Sequence, residues 1–167
     1  MFRLMSVVVA LTLSALSGLP ALADGIGVHD AYAVTSRPGA PTGAAFMVIH
    51  NHGGPDDRLI GVQSSIAART ELHSHLEADG MMQMVELTDG LPLPKDGRIV
   101  LASGGDHVMF IGLTDALTDG QVIELTLIFA VAGEVTISVP VDLARLGRAA
   151  EPDAMTDHDH GDAGSGG

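Results

Sequence analysis

The chain has 167 residues and no cysteine, and its 21 acidic and 8 basic residues give a formal net charge of −13 with histidine neutral. This acidic balance argues against nucleic acids and anionic membrane surfaces as partners, because both would repel the protein. Without cysteine no disulfide can stabilise the fold, and any soft metal ligand has to be a methionine thioether.

The N-terminal segment predicts an export signal. Arg3 supplies a positive charge, the apolar run Leu4–Leu16 is too short to span a bilayer, and Ala21–Ala23 forms a small-x-small cleavage site. We expect residues 1–23 to be removed by cleavage after Ala23, and the mature protein to be periplasmic. No cysteine follows the apolar run and no later segment is apolar enough to cross a bilayer, so we expect neither a lipid anchor nor membrane insertion.

Residues 24–146 read as one β domain. Short apolar or alternating runs are separated by clusters of Gly, Pro, Asn and Asp, and no long amphipathic helix is predicted. Strands of this length and spacing are typical of an antiparallel sandwich or a Greek-key barrel. In chain order, the predicted strands are Ile26–Val34, Ala44–Asn51, Arg58–Gln63, Arg69–Leu76, Met81–Leu87, Arg98–Leu101, Val108–Leu113, Val122–Ala130 and Glu134–Val141.

The sequence changes in character after Leu146. Residues 147–167 show no apolar periodicity, so we expect this tail to be disordered. Met155, His158 and His160 lie within it among aspartates. This stretch is either a solvated acidic tail or a metal-binding tract, and we favour the second interpretation because short histidine-rich tracts commonly bind metals.

Histidine and methionine are concentrated around one predicted turn. If Asp79-Gly80 turns a hairpin, His73 and His75 share one face of the first strand because side chains alternate along it. Met82 and Met84 likewise share one face of the second strand. The histidines of one strand can then meet the methionines of the other.

A further pair, His107 and Met109, shares one face at the end of another strand. Thioethers favour Cu(I), whereas imidazole binds copper in either oxidation state. Zinc prefers Cys, His and carboxylate ligands, and calcium and magnesium prefer oxygen. The combination therefore predicts a copper site, and it excludes blue-copper electron transfer, which needs a cysteine thiolate.

At these residues the sequence resembles the periplasmic copper chaperones of the PCuAC family. Their ligand pattern is His, ten residues, Met, twenty-one residues, and then His-x-Met. Ten residues separate His73 from Met84, twenty-two separate Met84 from His107, and Met109 completes the pattern. The additional residue falls in the Pro- and Gly-containing stretch Leu91–Gly97, where an insertion is easily absorbed. The resemblance covers nearly all of the region from residue 26 to residue 141.

The resemblance implies a cupredoxin-like Greek-key β-barrel and a periplasmic copper chaperone. It implies delivery of copper to the CuA site of cytochrome c oxidase subunit II, alongside a Sco-type thiol protein. Extended members of the family carry similar Met/His tails, which implies a Cu(II) role for the tail. The Cu(I) ligands that it implies are His73, Met84, His107 and Met109.

Several assignments stay open at this level. Because of the additional residue, Met82 is an alternative to Met84. His75 is either a solvated neighbour or an additional Cu(II) ligand. Met47 is predicted to lie in the core, and His50 and His52 are predicted to be exposed residues near a turn, because Asn and two glycines surround them.

We expect a non-enzymatic protein, because the sequence shows no nucleophile–base constellation and no open three-histidine zinc pattern. We also expect it to be a monomer. The alternative function is sequestration or storage of copper or zinc for metal resistance or uptake. That alternative predicts more than one metal ion per chain, with the tail as the main binding element.

Overall fold

The computed structural model describes residues 25–78 and 80–146. The predicted signal peptide and the predicted metal-binding tail both lie outside these described residues. Within them, no helix is long and apolar enough to cross a membrane. The strands are β1 Ile26–Val34, β2 Thr42–Asn51, β3 Asp57–Gln63, β4 Ala67–Ala78, β5 Met81–Glu86, β6 Leu91–Leu93, β7 Arg98–Leu101, β8 His107–Leu113, β9 Val122–Phe129 and β10 Gly133–Pro140, and a 3₁₀ turn follows at Leu143–Arg145.

The strands form two antiparallel sheets, which confirms the predicted all-β fold. The larger sheet has the order β1-β2-β8-β4-β5, with β7 also paired to β2, and the smaller sheet has the order β10-β9-β3-β6. The pairings β2–β8, β8–β4 and β3–β9 join strands that are distant in the sequence. The fold therefore depends on long-range crossovers as much as on hairpins.

The main core lies between the two sheets. Along β9 exposed or half-buried positions alternate with the buried residues Ile123, Leu125, Leu127 and Phe129. This is the period-2 pattern of a strand with one face in the core. Burying each of these side chains contributes about 1.5–3 kcal/mol, so the alternation fixes which face of the strand turns inward.

A second, smaller apolar cluster covers part of the outer face of the larger sheet. It consists of Tyr32, Val34, Phe46 and Val48, with Ala44 and Val100 packed against it. The guanidinium of Arg145 lies 3.7 Å from the centre of the Tyr32 ring and makes two 2.6 Å hydrogen bonds to the carboxylate of Asp30. The 3₁₀ turn is thereby held against this face.

One strand was not predicted from the sequence. Leu91–Leu93, in the Pro- and Gly-containing stretch Leu91–Gly97, pairs with β3 at the edge of the smaller sheet. An edge position tolerates proline because the missing N–H would face away from the ladder. The fully buried Leu93 anchors this strand to the core.

Candidate metal centre

The register of three neighbouring strands gathers the predicted ligands on one face of the larger sheet. His73 on β4 lies opposite His107 on β8, and His75 on β4 lies opposite Met84 on β5. Directly opposed residues project from the same face of a sheet. Met109 lies two positions beyond His107 and therefore shares that face.

This face is the outer one. Leu72 and Val108, which alternate with the predicted ligands, are buried in the core between the sheets. The predicted ligands consequently point away from that core. His107 is nonetheless only 3% exposed, because the ring of Phe46 lies 6.2 Å away and the small apolar cluster extends beside it.

The hairpin of β4 and β5 separates the two candidate methionines. The pairing ends with Ala78 opposite Met81, and Gly80 adopts a φ of +74°, which glycine reaches without steric cost. Met84 lies opposite His75, whereas Met82 lies opposite Glu77, one step nearer the turn. Met84 is therefore the methionine of β5 that adjoins the histidines.

The three imidazoles lie close together. The ring centroids of His75 and His107 are 5.0 Å apart with the rings stacked at 28°, and those of His73 and His107 are 6.1 Å apart. Burial lowers the pKa of the His107 imidazolium, and the neighbouring His75 and His73 lower it further by charge repulsion. A neutral imidazole can donate a lone pair to a metal, so the site favours the ligating form.

Two hydrogen bonds determine which ring nitrogens remain available. The Nδ1–H of His107 donates to the carbonyl of Gly105 at 3.0 Å, so the lone pair of this ring is on Nε2. The Nε2–H of His73 donates to the Glu71 carboxylate at 2.9 Å, so its lone pair is on Nδ1. A carboxylate or carbonyl behind a ligating histidine fixes its orientation and increases its basicity.

The remaining ring nitrogens fit a metal ion. In the described part of the chain, the Nδ1 atoms of His73 and His75 are buried and have no hydrogen-bond partner. A buried polar atom without a partner costs roughly 1–3 kcal/mol. Coordination of a metal ion would remove that cost, since the metal accepts the lone pair that no protein group uses.

Beside these rings lies a cavity of about 360 Å³. His75, Met84, His107 and Met109 line it, together with Phe46. Its walls therefore bring two imidazoles and two thioethers to one space, whereas His73, which lies opposite His107 on β4, does not line the cavity. Soft thioethers next to imidazoles form a donor set suited to Cu(I).

With the side chains in their present positions, nitrogen and oxygen ligands alone do not form a three-ligand metal site in the described residues. Across residues 25–78 and 80–146, no three His, Cys, Asp or Glu side chains lie close enough to hold a metal ion together. Occupancy of the cavity site by three or more protein ligands therefore involves at least one methionine.

The other predicted residues have separate outcomes. Met47 is fully buried in the core, as predicted. Met155, His158 and His160 lie outside the described residues. His52 is exposed as predicted. His50 lies in β2, within the predicted strand Ala44–Asn51, but it is half-buried and not exposed as predicted.

Sequence reasoning missed the groups that orient the ligands. Glu71 precedes His73 by two residues on the same strand face, so its contact could have been inferred from alternation alone. The contact between Phe46 and His107 joins β2 to β8, and only the tertiary pairing shows it.

Comparison with known proteins identifies the family. Residues 26–141 match a family model described as "Putative lipoprotein LpqE-like". A curated relative, "Putative lipoprotein Lxx21020" of Leifsonia xyli subsp. xyli (strain CTCB07), is 34% identical over 119 residues, which cover 71% of this chain and 70% of that protein.

Solved structures give the fold relationship. The copper-bound PCuAC domain from PmoF2 is 28% identical with a TM-score of 0.58, and the match covers 71% of this chain and 93% of that domain. Apo-DR1885 from Deinococcus radiodurans is 26% identical with a TM-score of 0.58, over 86% of this chain and 97% of that protein. Its Cu(I) form is 25% identical with a TM-score of 0.55, over 72% and 81%. The chain therefore belongs to the LpqE-like family and has a PCuAC-like fold.

Proposed function

We propose that this protein is an exported, non-enzymatic copper chaperone that carries Cu(I) on the outer face of its larger sheet. The ligands that we assign are His73, Met84, His107 and Met109, with His75 as an additional ligand when Cu(II) is bound. The observation that carries the proposal is a cavity where the thioethers of Met84 and Met109 meet the imidazoles of His75 and His107. The buried Nδ1 atoms of His73 and His75 have no hydrogen-bond partner in the described part of the chain. The copper-bound state of the PmoF2 domain and the Cu(I)-bound state of DR1885 support the choice of metal.

The donor set also suits a carrier that releases its cargo. Thioether and imidazole are neutral ligands, and they hold copper less tightly than thiolates do. Met84 is 47% exposed on β5, the edge strand of the larger sheet, so an incoming ligand can reach the copper from that side. We infer that Met84 dissociates first during transfer, because it is the most exposed of the assigned ligands.

For the recipient, we propose the CuA site of cytochrome c oxidase subunit II, with a Sco-type thiol protein acting beside it. The lipoprotein description of the family agrees with an exported, envelope-associated protein, which is where such a transfer would take place. Deleting the gene and measuring the copper content of the CuA site at limiting copper tests this step. Normal CuA loading would contradict it while leaving the copper site itself in place.

An anaerobic titration with Cu(I) in competition with a chromophoric chelator tests the site directly. In the His73→Ala/Met109→Ala variant, we expect the affinity to fall by more than about a hundredfold, since two ligands are lost. The Met81→Ala/Met82→Ala variant is the matched control, because both methionines are exposed on the same sheet and nearer the turn. Equal affinities in the two variants would refute the assigned ligands.

Sequestration of copper or zinc is the second candidate function. The observation in its favour is that several imidazoles lie outside the cavity. They are His158 and His160 in the tail sequence, and His29 and His50 on β1 and β2. It predicts several metal ions per chain and a growth defect of the deletion strain under metal stress, with normal oxidase activity.

A further inference from the structure

Three histidines that the copper site does not use lie together at the other end of the outer face. His29 belongs to β1, His50 belongs to β2, and His52 directly follows β2. The ring centroids are 5.4 Å apart for His29 and His50, 5.5 Å for His50 and His52, and 6.1 Å for His29 and His52. They come from two strands that meet only through the β1–β2 register.

The space between these rings is open because Gly27 has no side chain. Gly27 lies opposite His50 in the β1–β2 pairing. A Cβ atom placed on Gly27 would lie 2.8 Å from Nε2 of His52 and 3.1 Å from Nε2 of His29. The φ of Gly27 is not in the left-handed region, so its backbone does not require glycine. Glycine is favoured at this position because any side chain would collide with Nε2 of His52 and crowd Nε2 of His29.

The backbone beneath the cluster is fixed. The N–H of His52 donates to the carbonyl of Gly25, which extends the β1–β2 ladder past the end of β2. The side chain of Asn51 bridges the following turn, since its amide donates to the carbonyl of Pro55 and its oxygen accepts from the N–H of Gly54. These hydrogen bonds therefore hold the backbone on which the histidines lie.

We propose that His29, His50 and His52 form a second metal site, specific for a divalent d-block cation and tightest for Cu(II). The donors are three imidazoles, with no thioether or thiolate among them. Imidazole sites of this kind bind Cu(II) more tightly than Zn(II) in the Irving–Williams order. The site is separate from the proposed Cu(I) site and does not depend on it.

Small side-chain rotations complete the site. As placed, the three rings do not converge on one point closely enough to hold an ion together. His29 and His52 are exposed, and exposed side chains change rotamer within nanoseconds, so both can turn toward an ion above Gly27. His50, stacked on His52 at an interplanar angle of 9°, would then supply the third nitrogen.

The two sites share a face but not a ligand. Phe46 contacts His107 at the first site, and His50 lies four residues further along the same strand, a distance of about 13 Å. The buried side chain of Val48 lies between them on the same face. Loss of one site should therefore leave the other intact.

Titration of the full mature chain with Cu(II), followed by electron paramagnetic resonance, tests the proposal. In the His29→Ala/His52→Ala variant, we expect one bound equivalent with nitrogen hyperfine splitting to disappear, while the anaerobic Cu(I) affinity stays unchanged. The His158→Ala/His160→Ala variant separates this equivalent from any that the tail binds. An unchanged Cu(II) stoichiometry and affinity in His29→Ala/His52→Ala would overturn the proposal.

Glycine substitutions give a second test that keeps all histidines. Gly27→Ala places a methyl group in the space between the rings, and we expect it to weaken Cu(II) binding by about tenfold. Gly61→Ala is the matched control, because it is also in a strand and its Cβ would make only an ordinary 3.6 Å contact. Equal Cu(II) affinities in the two variants would overturn the proposed position, and tighter binding of Zn(II) than of Cu(II) would overturn the proposed metal.

Discussion

His73 and His107 lie directly opposite each other on β4 and β8, and each uses a different ring nitrogen for its hydrogen bond. His73 donates from Nε2 to Glu71, and His107 donates from Nδ1 to Gly105. The lone pairs therefore reside on Nδ1 of the first ring and Nε2 of the second. The sheet thus fixes not only which residues meet but which atom of each ring is available to copper.

The Glu71 carboxylate should matter for copper affinity although it is not an assigned ligand. In Glu71→Gln, a neutral amide oxygen replaces the charged carboxylate as acceptor for the Nε2–H of His73, so the His73 ring becomes less basic, and we expect Cu(I) affinity to fall by about tenfold. Competition with a chromophoric Cu(I) chelator measures the change. Glu77→Gln is the control on the same strand, since Glu77 lies opposite Met82 and away from the rings.

Glu71 also accepts a 2.8 Å hydrogen bond from Arg69, so this ion pair is lost in the same variant. Arg69→Gln removes the pair and leaves the carboxylate next to His73. We expect that variant to bind Cu(I) as the wild type does. A loss in Arg69→Gln equal to that in Glu71→Gln would assign the effect to the ion pair and contradict a role for the basicity of His73.

Two of the three methionines of β5, Met82 and Met84, should differ sharply in their effect on Cu(I) affinity. Met84 lines the cavity next to the histidines, whereas Met82 is 61% exposed and lies opposite Glu77. We expect Met84→Ala to weaken Cu(I) binding by about tenfold or more, and Met82→Ala to leave it unchanged. Because both side chains are exposed, thermal unfolding should be nearly the same in the two variants. A larger loss of Cu(I) affinity in Met82→Ala than in Met84→Ala would identify Met82 as the ligand in place of Met84.

The burial of His107 should make the copper-free protein less stable in mild acid. The pKa of His107 is lowered from 6.5 in the folded state. Below pH 6.5 this histidine is therefore protonated more readily in the unfolded chain than in the folded chain. The stabilising effect is fully present above pH 6.5 and declines as the pH falls toward the folded pKa, by at most about 1.4 kcal/mol per pH unit. Urea unfolding between pH 5 and pH 8 measures this dependence.

His107→Gln provides the comparison for that titration, because it removes the group and leaves the other histidines. The difference in unfolding free energy between wild type and variant should shrink as the pH falls below 6.5. A difference that is constant, or that grows on acidification, would contradict the assignment to His107.

Asp57 should stabilise the fold away from the copper site. Its carboxylate accepts hydrogen bonds from the N–H groups of Arg58, Val131 and Ala132, at 2.7, 2.8 and 2.9 Å. Burial raises its pKa, but these hydrogen bonds outweigh burial and the net pKa lies below 3.8. Its contribution is therefore present above pH 3.8 and is lost as the pH falls through the folded pKa.

In Asp57→Asn, one acceptor oxygen becomes an N–H₂ group, which leaves a backbone N–H without a partner. We expect a loss of about 1–3 kcal/mol in unfolding free energy, measured by urea titration at pH 7. Asp115→Asn, at an exposed position, removes the same charge and should change stability by less than about 0.5 kcal/mol. A loss of similar size in both variants would indicate a general charge effect.

Local pattern alone predicted much of the fold. The bounds of Ile26–Val34 and Arg98–Leu101 agree with the sequence prediction, because alternation and flanking turn residues are local signals. The hairpin of β4 and β5 was also predictable, since Gly80 supplies the positive φ that its turn needs. Leu91–Leu93 was missed, because a three-residue edge strand with a central proline has too little pattern to distinguish it from a turn.

The sequence by itself determined the chemistry. With no cysteine, the soft donors had to be methionines, and residue spacing within single strands placed His73 with His75 and His107 with Met109. Which strands become neighbours was not a local property. Long-range packing of the core sets the β4–β8 register, which brings His107 opposite His73.

The same reason explains the histidine cluster that the sequence did not reveal. A β-bulge between His29 and Tyr32 shifts the alternation of β1 by one residue, so that both residues face the outer side of the sheet. Only this shifted register brings His29 next to His50 on β2. Residue type alone determines which ligand atoms are present. Which ligands from distant strands come close together depends on the free energy of burying the whole core.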